Sequence, residues 1–278
     1  MHAILRKILT TNSVSRRFYY AAREAYHIRR VSRGAGRYFL NSDQFKSALR
    51  ADGKTTTPMD LRTIDGLTIT MRQNYGDAMT IAEIFLDDCY VRDLPRPHNF
   101  PVVIDLGGFI GDFSLYAVKR LNARRVIVCE PSPRNWELLQ RNIAGNGYGD
   151  RIQAVNKAVT DGQDIMMDID APDESQCMVS AYFQSERPLR SVPGISLGQL
   201  LKDYEVESVD LLKMDIEGGE YAILESTPVE VLKRVRNIVF EYHDVEQGWA
   251  KLESVKKRLR DEGYVLHVNR GLVSALRP

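Results

Sequence analysis

The chain predicts an α/β fold built on a mostly parallel sheet, and three observations carry that reading. From Pro101 onward, apolar runs of four to six residues alternate with helix-period patterns, as successive βαβ units do. The run Val209-Asp-Leu-Leu-Lys-Met214 and its counterparts at Val102–Asp105 and Arg125–Cys129 read as buried strands. The last two runs, Tyr264–Val268 and Leu272–Leu276, are separated only by the turn signal Asn269-Arg-Gly271, which makes them an antiparallel hairpin closing the sheet.

Three zones precede and include that core. Residues 1–60 form a basic, helix-leaning extension that ends in Ala51-Asp-Gly-Lys-Thr-Thr-Thr-Pro58, a polar stretch that reads as a linker. Residues 61–100 are a lead-in, with a strand pattern at Leu67–Met71, an amphipathic helix at Asp77–Asp87 and the stiff connector Asp93-Leu-Pro-Arg-Pro-His98. Residues 101–278 are the core domain. Its first strand, Val102–Asp105, leads to a helix at Asp112–Leu121, and the second strand, Arg125–Cys129, to a helix at Pro133–Asn146 with proline suitably at its start. A third strand, Ile152–Val155, precedes an insertion of short polar strands or loop at 163–194. A helix at Ser196–Tyr204, the strand Val209–Met214 and a helix from Glu217 follow, then the strand Arg236–Tyr242 and a helix at Trp249–Asp261.

Composition narrows the classes. At 44% hydrophobic and 27% charged over 278 residues, the chain has the means to bury a large core. No stretch approaches the ~18 consecutive apolar residues of a membrane-spanning helix. Arg6, Lys7, Arg16 and Arg17 interrupt the N-terminal apolar patches before they reach signal-peptide length. Cys89, Cys129 and Cys177 offer neither a disulfide framework nor zinc spacing, so a reduced, cytoplasmic protein is expected. Residues 1–40 carry nine Lys/Arg against Glu24, whereas the remainder has 29 basic and 36 acidic side chains, a net of −7. That arm reads first as the solvated face of N-terminal helices. Peripheral contact with a membrane surface, or packing over the site or in a homodimer, are its further expected uses, and no nucleic acid is expected.

The segment Val103-Ile-Asp-Leu-Gly-Gly-Phe-Ile-Gly-Asp-Phe-Ser114 is the most informative. A strand ends at Asp105, Gly107 and Gly108 permit a tight turn with close backbone approach, and Gly111 lets the next helix pack near the strand. The glycines do not follow G-x-G-x-x-G, and a carboxylate at that turn suits an ammonium or sulfonium better than a pyrophosphate. Glu130 closes the next strand 25 residues later, where an acid can accept both ribose hydroxyls. A nucleoside with a cationic group and no phosphate describes S-adenosylmethionine. Further on, Asp215, Glu217 and Glu220 follow an apolar strand; helix-dipole placement explains the two glutamates more easily than it explains Asp215.

Asp105-Leu-Gly-Gly-Phe-Ile-Gly111, Cys129-Glu-Pro-Ser-Pro133 with Leu138–Asn142, and Lys213-Met-Asp-Ile-Glu-Gly-Gly-Glu220 together resemble the FkbM family of S-adenosylmethionine-dependent methyltransferases, over roughly residues 70–245. The resemblance implies the class I, Rossmann-like methyltransferase fold: a doubly wound seven-stranded sheet with its last strand antiparallel. It implies O-methylation of sugars, polyketides or other small hydroxyl-bearing molecules, in natural product or glycan biosynthesis. By that analogy Asp105, Gly107, Gly108, Phe109, Ile110 and Gly111 embrace the methionine part, Glu130-Pro131 the ribose, and Lys157-Ala158 the adenine rim. The sequence departs from the family where Phe109 replaces a usual Asn, and where Lys157 cannot accept from the adenine amine as a carboxylate would.

A hydroxyl acceptor calls for a base, and only strand-end residues reach the reacting oxygen, which selects Asp215, Glu217 and His243. Asp215 or His243 is expected as base and Glu217 as the group orienting the acceptor; their spacing demands no metal. Two other readings compete. A nucleotide-dependent oxidoreductase is opposed by the missing G-x-G-x-x-G and by Asp105, and a non-catalytic binding module would keep the same fold.

Overall fold

The structure, a computed structural model, describes residues 28–51, 55–167, 189–242, 248–269 and 271–277. After α1 (Ser42–Ala48) come β1 (Pro58–Arg62), β2 (Thr68–Arg72) and α2 (Tyr75–Phe85). The core then runs β3 (Val102–Leu106), α3 (Asp112–Arg120), β4 (Arg125–Cys129), α4 (Pro133–Gly145) and β5 (Ile152–Val155). Four short strands follow, β6 (Ala158–Thr160), β7 (Ile165–Met167), β8 (Arg190–Val192) and β9 (Gly194–Ser196), then α5 (Leu197–Asp203). The chain closes with β10 (Val209–Met214), α6 (Glu220–Ser226), α7 (Val229–Leu232), β11 (Val235–Glu241), α8 (Gly248–Asp261), β12 (Val265–Asn269) and β13 (Leu272–Leu276).

The main sheet has seven strands in the order β12-β13-β11-β10-β3-β4-β5. All neighbouring pairs from β11 to β5 are parallel, and β13 is antiparallel to both β11 and β12. The doubly wound α/β sheet with an antiparallel last strand is therefore present. From β3 the chain moves outward to β4 and β5, then returns to β10 on the other side of β3. The order reverses between β3 and β10, and in such sheets ligands bind outside the carboxyl ends of the strands at that switch point.

Alternation along the strands divides the core between two faces. Val103, Val126, Val128, Leu211 and Val239 pack with α2, α3, α4 and the N-terminal residues Val31, Phe39, Phe45 and Leu49. Ile104, Leu106, Ile127, Leu212, Met214, Ile238 and Phe240 pack with α5, α6, α7 and α8. Successive side chains pointing to opposite faces, both covered, explain why these strands are apolar without a break. Asp105, Lys213 and Asn237 are the buried polar exceptions in β3, β10 and β11, and the first two belong to the site.

Some expectations need correcting. Pro58, read as the end of a linker, opens β1, which pairs antiparallel with β2 in a separate two-stranded sheet. Only Leu61 of β1 is buried, and a proline-led strand with one core residue leaves no run to read. Residue 60 thus lies inside a strand. The helix expected from Glu217 starts at Glu220, because Glu217 and Gly218 both adopt positive φ. The insertion at 163–194 pairs β7 with β8, and β6 pairs in parallel with β9; residues 168–188 lie outside the described residues.

The lead-in is fastened to the core by amide side chains. Asn142 of α4 accepts from Thr70 N at 2.6 Å and donates to Thr70 O at 2.9 Å, and Asn146 does the same for Thr68 at 2.9 and 2.7 Å. The asparagines serve the edge of β2 as a neighbouring strand would. Behind them Arg72 is buried against Asp77, with its Nη1 on Asn135 Oδ1 at 3.0 Å and its guanidinium 5.2 Å from the Phe109 ring centre. Among the described residues, no helix is long and apolar enough to cross a membrane.

Candidate active site

A cavity of about 350 Å³ lies at the carboxyl ends of β3, β4 and β10, within the roughly 300–1,000 Å³ of small-molecule sites. The turn after β3 shapes it. Gly107 has φ +79°, and a Cβ there would stand 1.8 Å from the Asp215 carbonyl oxygen, so only glycine lets the β3 and β10 turns meet. A Cβ on Gly108 would lie 2.1 Å from Val128 Cγ2. Phe109 and Glu217 both take positive φ without being glycine, and both line the cavity, where such strain concentrates.

Of the residues selected from sequence, Gly107, Phe109, Glu130, Pro131, Lys157, Ala158, Asp215 and Glu217 line this cavity. Gly108, Ile110 and Gly111 shape the turn from behind it; Ile110 is wholly buried and its carbonyl accepts from Asn142 at 2.7 Å. His243 lies outside the described residues. Glu220, the third acid of its motif, is buried and accepts from Ile216 N at 2.8 Å and Gly218 N at 2.9 Å, holding the loop after β10 in shape.

Asp105 occupies a different place from the one its position suggested. It is 0% exposed and does not line the cavity. Its carboxylate sits beneath the turn, 3.2 Å from Lys213 Nζ and 2.7 Å from the Ser114 hydroxyl that donates to it. A buried carboxylate already paired with a cation has no charge left to offer a ligand, so its task is to hold Lys213. Lys213, 4% exposed, also donates to Gly107 O at 2.7 Å, and its Nζ lies 5.2 Å from the Tyr90 ring centre. Burial favours the neutral amine, but Asp105, Asp215 and Asp112 outweigh it and hold the ammonium charged.

Tyr90, Asp112 and Lys213 are among the lining residues missed from sequence. A lysine inside an apolar strand was the available signal for the last, since a buried ammonium needs a buried partner. Tyr90 comes from the irregular segment after α2, and its hydroxyl donates to Asp215 Oδ2 at 2.6 Å. Burial pushes its phenol well above the ordinary range, so it remains a donor. Glu130 is 5% exposed; its Oε2 accepts from Phe109 N and its Oε1 from Ser132 N, each at 2.8 Å. Burial raises its carboxyl to about 7 against the pull of those two amides. The Asn135 amide also donates to Oε1 at 3.5 Å, which leaves Oε2 with a second lone pair for a ligand hydroxyl.

Burial also raises Asp112 from 3.8 to about 7, with only partial relief from Lys213. A carboxyl whose folded value exceeds its unfolded one makes the folded state bind more protons between those values. The stability it contributes in acid is therefore lost as pH rises towards 7. At about 1.4 kcal/mol per unit, the ligand-free Asp112→Asn protein should be more stable than the parent by roughly 2–4 kcal/mol at pH 8. Urea titrations should show that gap narrowing as pH falls to 5, and a gap independent of pH would contradict the assignment.

Residues 105–266 match the Methyltransferase FkbM domain family. Methyltransferase sdnD of Sordaria araneosa is 24% identical over 211 residues, covering 66% of this chain and 80% of its own length. The 31-O-demethyl-FK506 methyltransferase FkbM of Streptomyces tacrolimicus is 25% identical over 238 residues, covering 74% of this chain and 88% of its own. The crystal structure of methyltransferase FkbM from Methylobacillus flagellatus KT superposes with a TM-score of 0.47 at 15% identity, over 84% of this chain and 58% of that one. The domain match spans more than half of the sequence and begins at the acid that opens the glycine turn, and the chain belongs to the FkbM family of S-adenosylmethionine-dependent methyltransferases.

Proposed function

We propose that this chain methylates a hydroxyl oxygen of a sugar, polyketide or related small molecule. The observation that carries the reading is the position of Asp215: on the cavity wall, against the glycine turn, with its carboxylate held by the Tyr90 hydroxyl. One relative in the family is named for 31-O-demethyl-FK506, an oxygen acceptor, which agrees with it.

The residues present fit the methyl donor. The cavity is large enough, Glu130 lines it with a lone pair of Oε2 to spare for a ribose hydroxyl, and a buried oxygen of Asp112 lacks a hydrogen-bond partner among the described residues. When bound, S-adenosylmethionine supplies an electrophilic methyl group on a sulfonium. Asp215 accepts the proton of the acceptor hydroxyl as its oxygen becomes the nucleophile, and Tyr90 fixes the carboxylate that receives it. Glu217 orients the acceptor, and His243 is the second proposed base. The lining side chains Ile84, Ile165, Met167, Ile216 and Ile223 keep water from competing as nucleophile.

Incubation with the donor and a panel of alcohol, amine and carboxylate acceptors, followed by detection of S-adenosylhomocysteine, tests the reading. Products confined to amines would overturn it. Activity abolished by EDTA and restored by Mg²⁺ would replace the base with a metal. A second expected result concerns the donor. Glu130→Ala should weaken S-adenosylmethionine binding about ten- to a hundredfold, the ~1.5–3 kcal/mol of a lost charge-assisted contact. Unchanged affinity in calorimetry would remove Glu130 from the ribose.

A further inference from the structure

The geometry points to Asp112 as the site that receives the α-ammonium of the methyl donor's amino-acid end. The inference rests on S-adenosylmethionine as the donor and says which carboxylate meets its cationic head.

Sequence position favoured Asp105 for a cationic ligand, but Asp105 is enclosed by Lys213 and Ser114 below the turn. Asp112 follows the same turn, opens the nine-residue helix α3 and lines the cavity. It is 2% exposed. Its Oδ1 accepts from Phe113 N at 2.9 Å, whereas its buried Oδ2 has no hydrogen-bond partner among the described residues. Leaving such an oxygen unpaired costs about 1–3 kcal/mol, more when it is charged, so a sequence retaining it without a ligand would be penalised.

The neighbours do not supply what is missing. Lys213 is the cation whose charge acts on Asp112, and it is engaged by Asp105 and Gly107 O. Glu130 receives Phe109 and Ser132 amides, and Asp215 receives Tyr90. Among the described carboxylates that line the cavity, Asp112 is the one with a buried oxygen lacking a partner. Helix-terminus preference accounts for an acid at the start of α3, but it does not account for one buried in a cavity wall with an oxygen left over. An ammonium is the matching group, because a charged donor restores the hydrogen bond and the charge balance together where water is excluded.

Calorimetry on the full chain, parent and Asp112→Asn, separates the possibilities with three ligands. S-adenosylhomocysteine carries the amino-acid head, 5′-S-(3-carboxypropyl)-5′-thioadenosine lacks only its amino group, and 5′-methylthioadenosine lacks the whole head. Asp112→Asn should lose about ten- to a hundredfold in affinity for S-adenosylhomocysteine, while its affinities for the other two stay within about threefold of the parent's. Undiminished S-adenosylhomocysteine binding by the variant, or an equal loss for the des-amino ligand, overturns the assignment. Failure of the parent to bind S-adenosylhomocysteine overturns the donor reading itself, and the assignment with it.

Discussion

Asp215→Asn is expected to lower methyl transfer by about 10²–10⁴-fold with donor affinity changed by less than about threefold, the range of a lost general base. The substitution is chosen for what it leaves intact. The asparagine oxygen still accepts from Tyr90, whose hydroxyl lies 2.6 Å from Asp215 Oδ2, so that buried phenol keeps a partner. The backbone bond from Asp215 N to Leu106 O, 3.1 Å, is untouched, and the β3 and β10 turns stay in contact. What disappears is a carboxylate able to take a proton. An aliphatic hydroxyl needs that acceptance near neutral pH, whereas orientation of acceptor and donor survives and sustains a residual rate. Tyr90→Phe should act in the same direction but more weakly, because it loosens the carboxylate without removing it. Turnover within about threefold of the parent in Asp215→Asn would move the base to His243 or Glu217.

How legible this site was depends on how local each cause is. β4, β5, β10 and β13 fall on the boundaries read from sequence; for β4 and β10 the reason is that a strand buried on both faces writes a largely apolar run between turn signals. β1 does not, since its single buried side chain, Leu61, leaves the rest of the strand polar. The glycine turn was legible because close backbone approach excludes a Cβ wherever it occurs. The role of Asp105 was not. A carboxylate at a strand end looks the same whether it faces a ligand or a lysine, and that lysine lies 108 residues further on. Tyr90 and Asp112 were missed for related reasons. One comes from a segment with no periodicity, and the other looks like any acid at a helix start until its burial is known.

The largest loss of stability is expected from Lys213→Met. Lys213 is buried in β10, its Nζ 3.2 Å from Asp105 and donating to Gly107 O at 2.7 Å. Methionine fits the space and its apolar body suits the Tyr90 and Phe113 rings that flank the amine, so packing alone predicts a small effect. Electrostatics decides otherwise. The substitution strands Asp105, 0% exposed, with only the Ser114 hydroxyl, and it frees the carbonyl that anchors the glycine turn. Removing one partner of a buried ion pair costs about 3–5 kcal/mol. At roughly 2–4 °C per kcal/mol for a chain of this size, Tm should fall by about 6–20 °C. Asp105→Asn strands the ammonium instead and should also destabilise, whereas the double variant removes both charges. Its loss should be smaller than the sum of the two single losses by at least about 1 kcal/mol, the signature of residues acting as a pair. If the Lys213→Met chain does not accumulate folded, Asp105→Asn and the double variant still make the comparison. Strictly additive losses, or a Tm within about 2 °C of the parent for either single change, would show that the pair does not hold the turn.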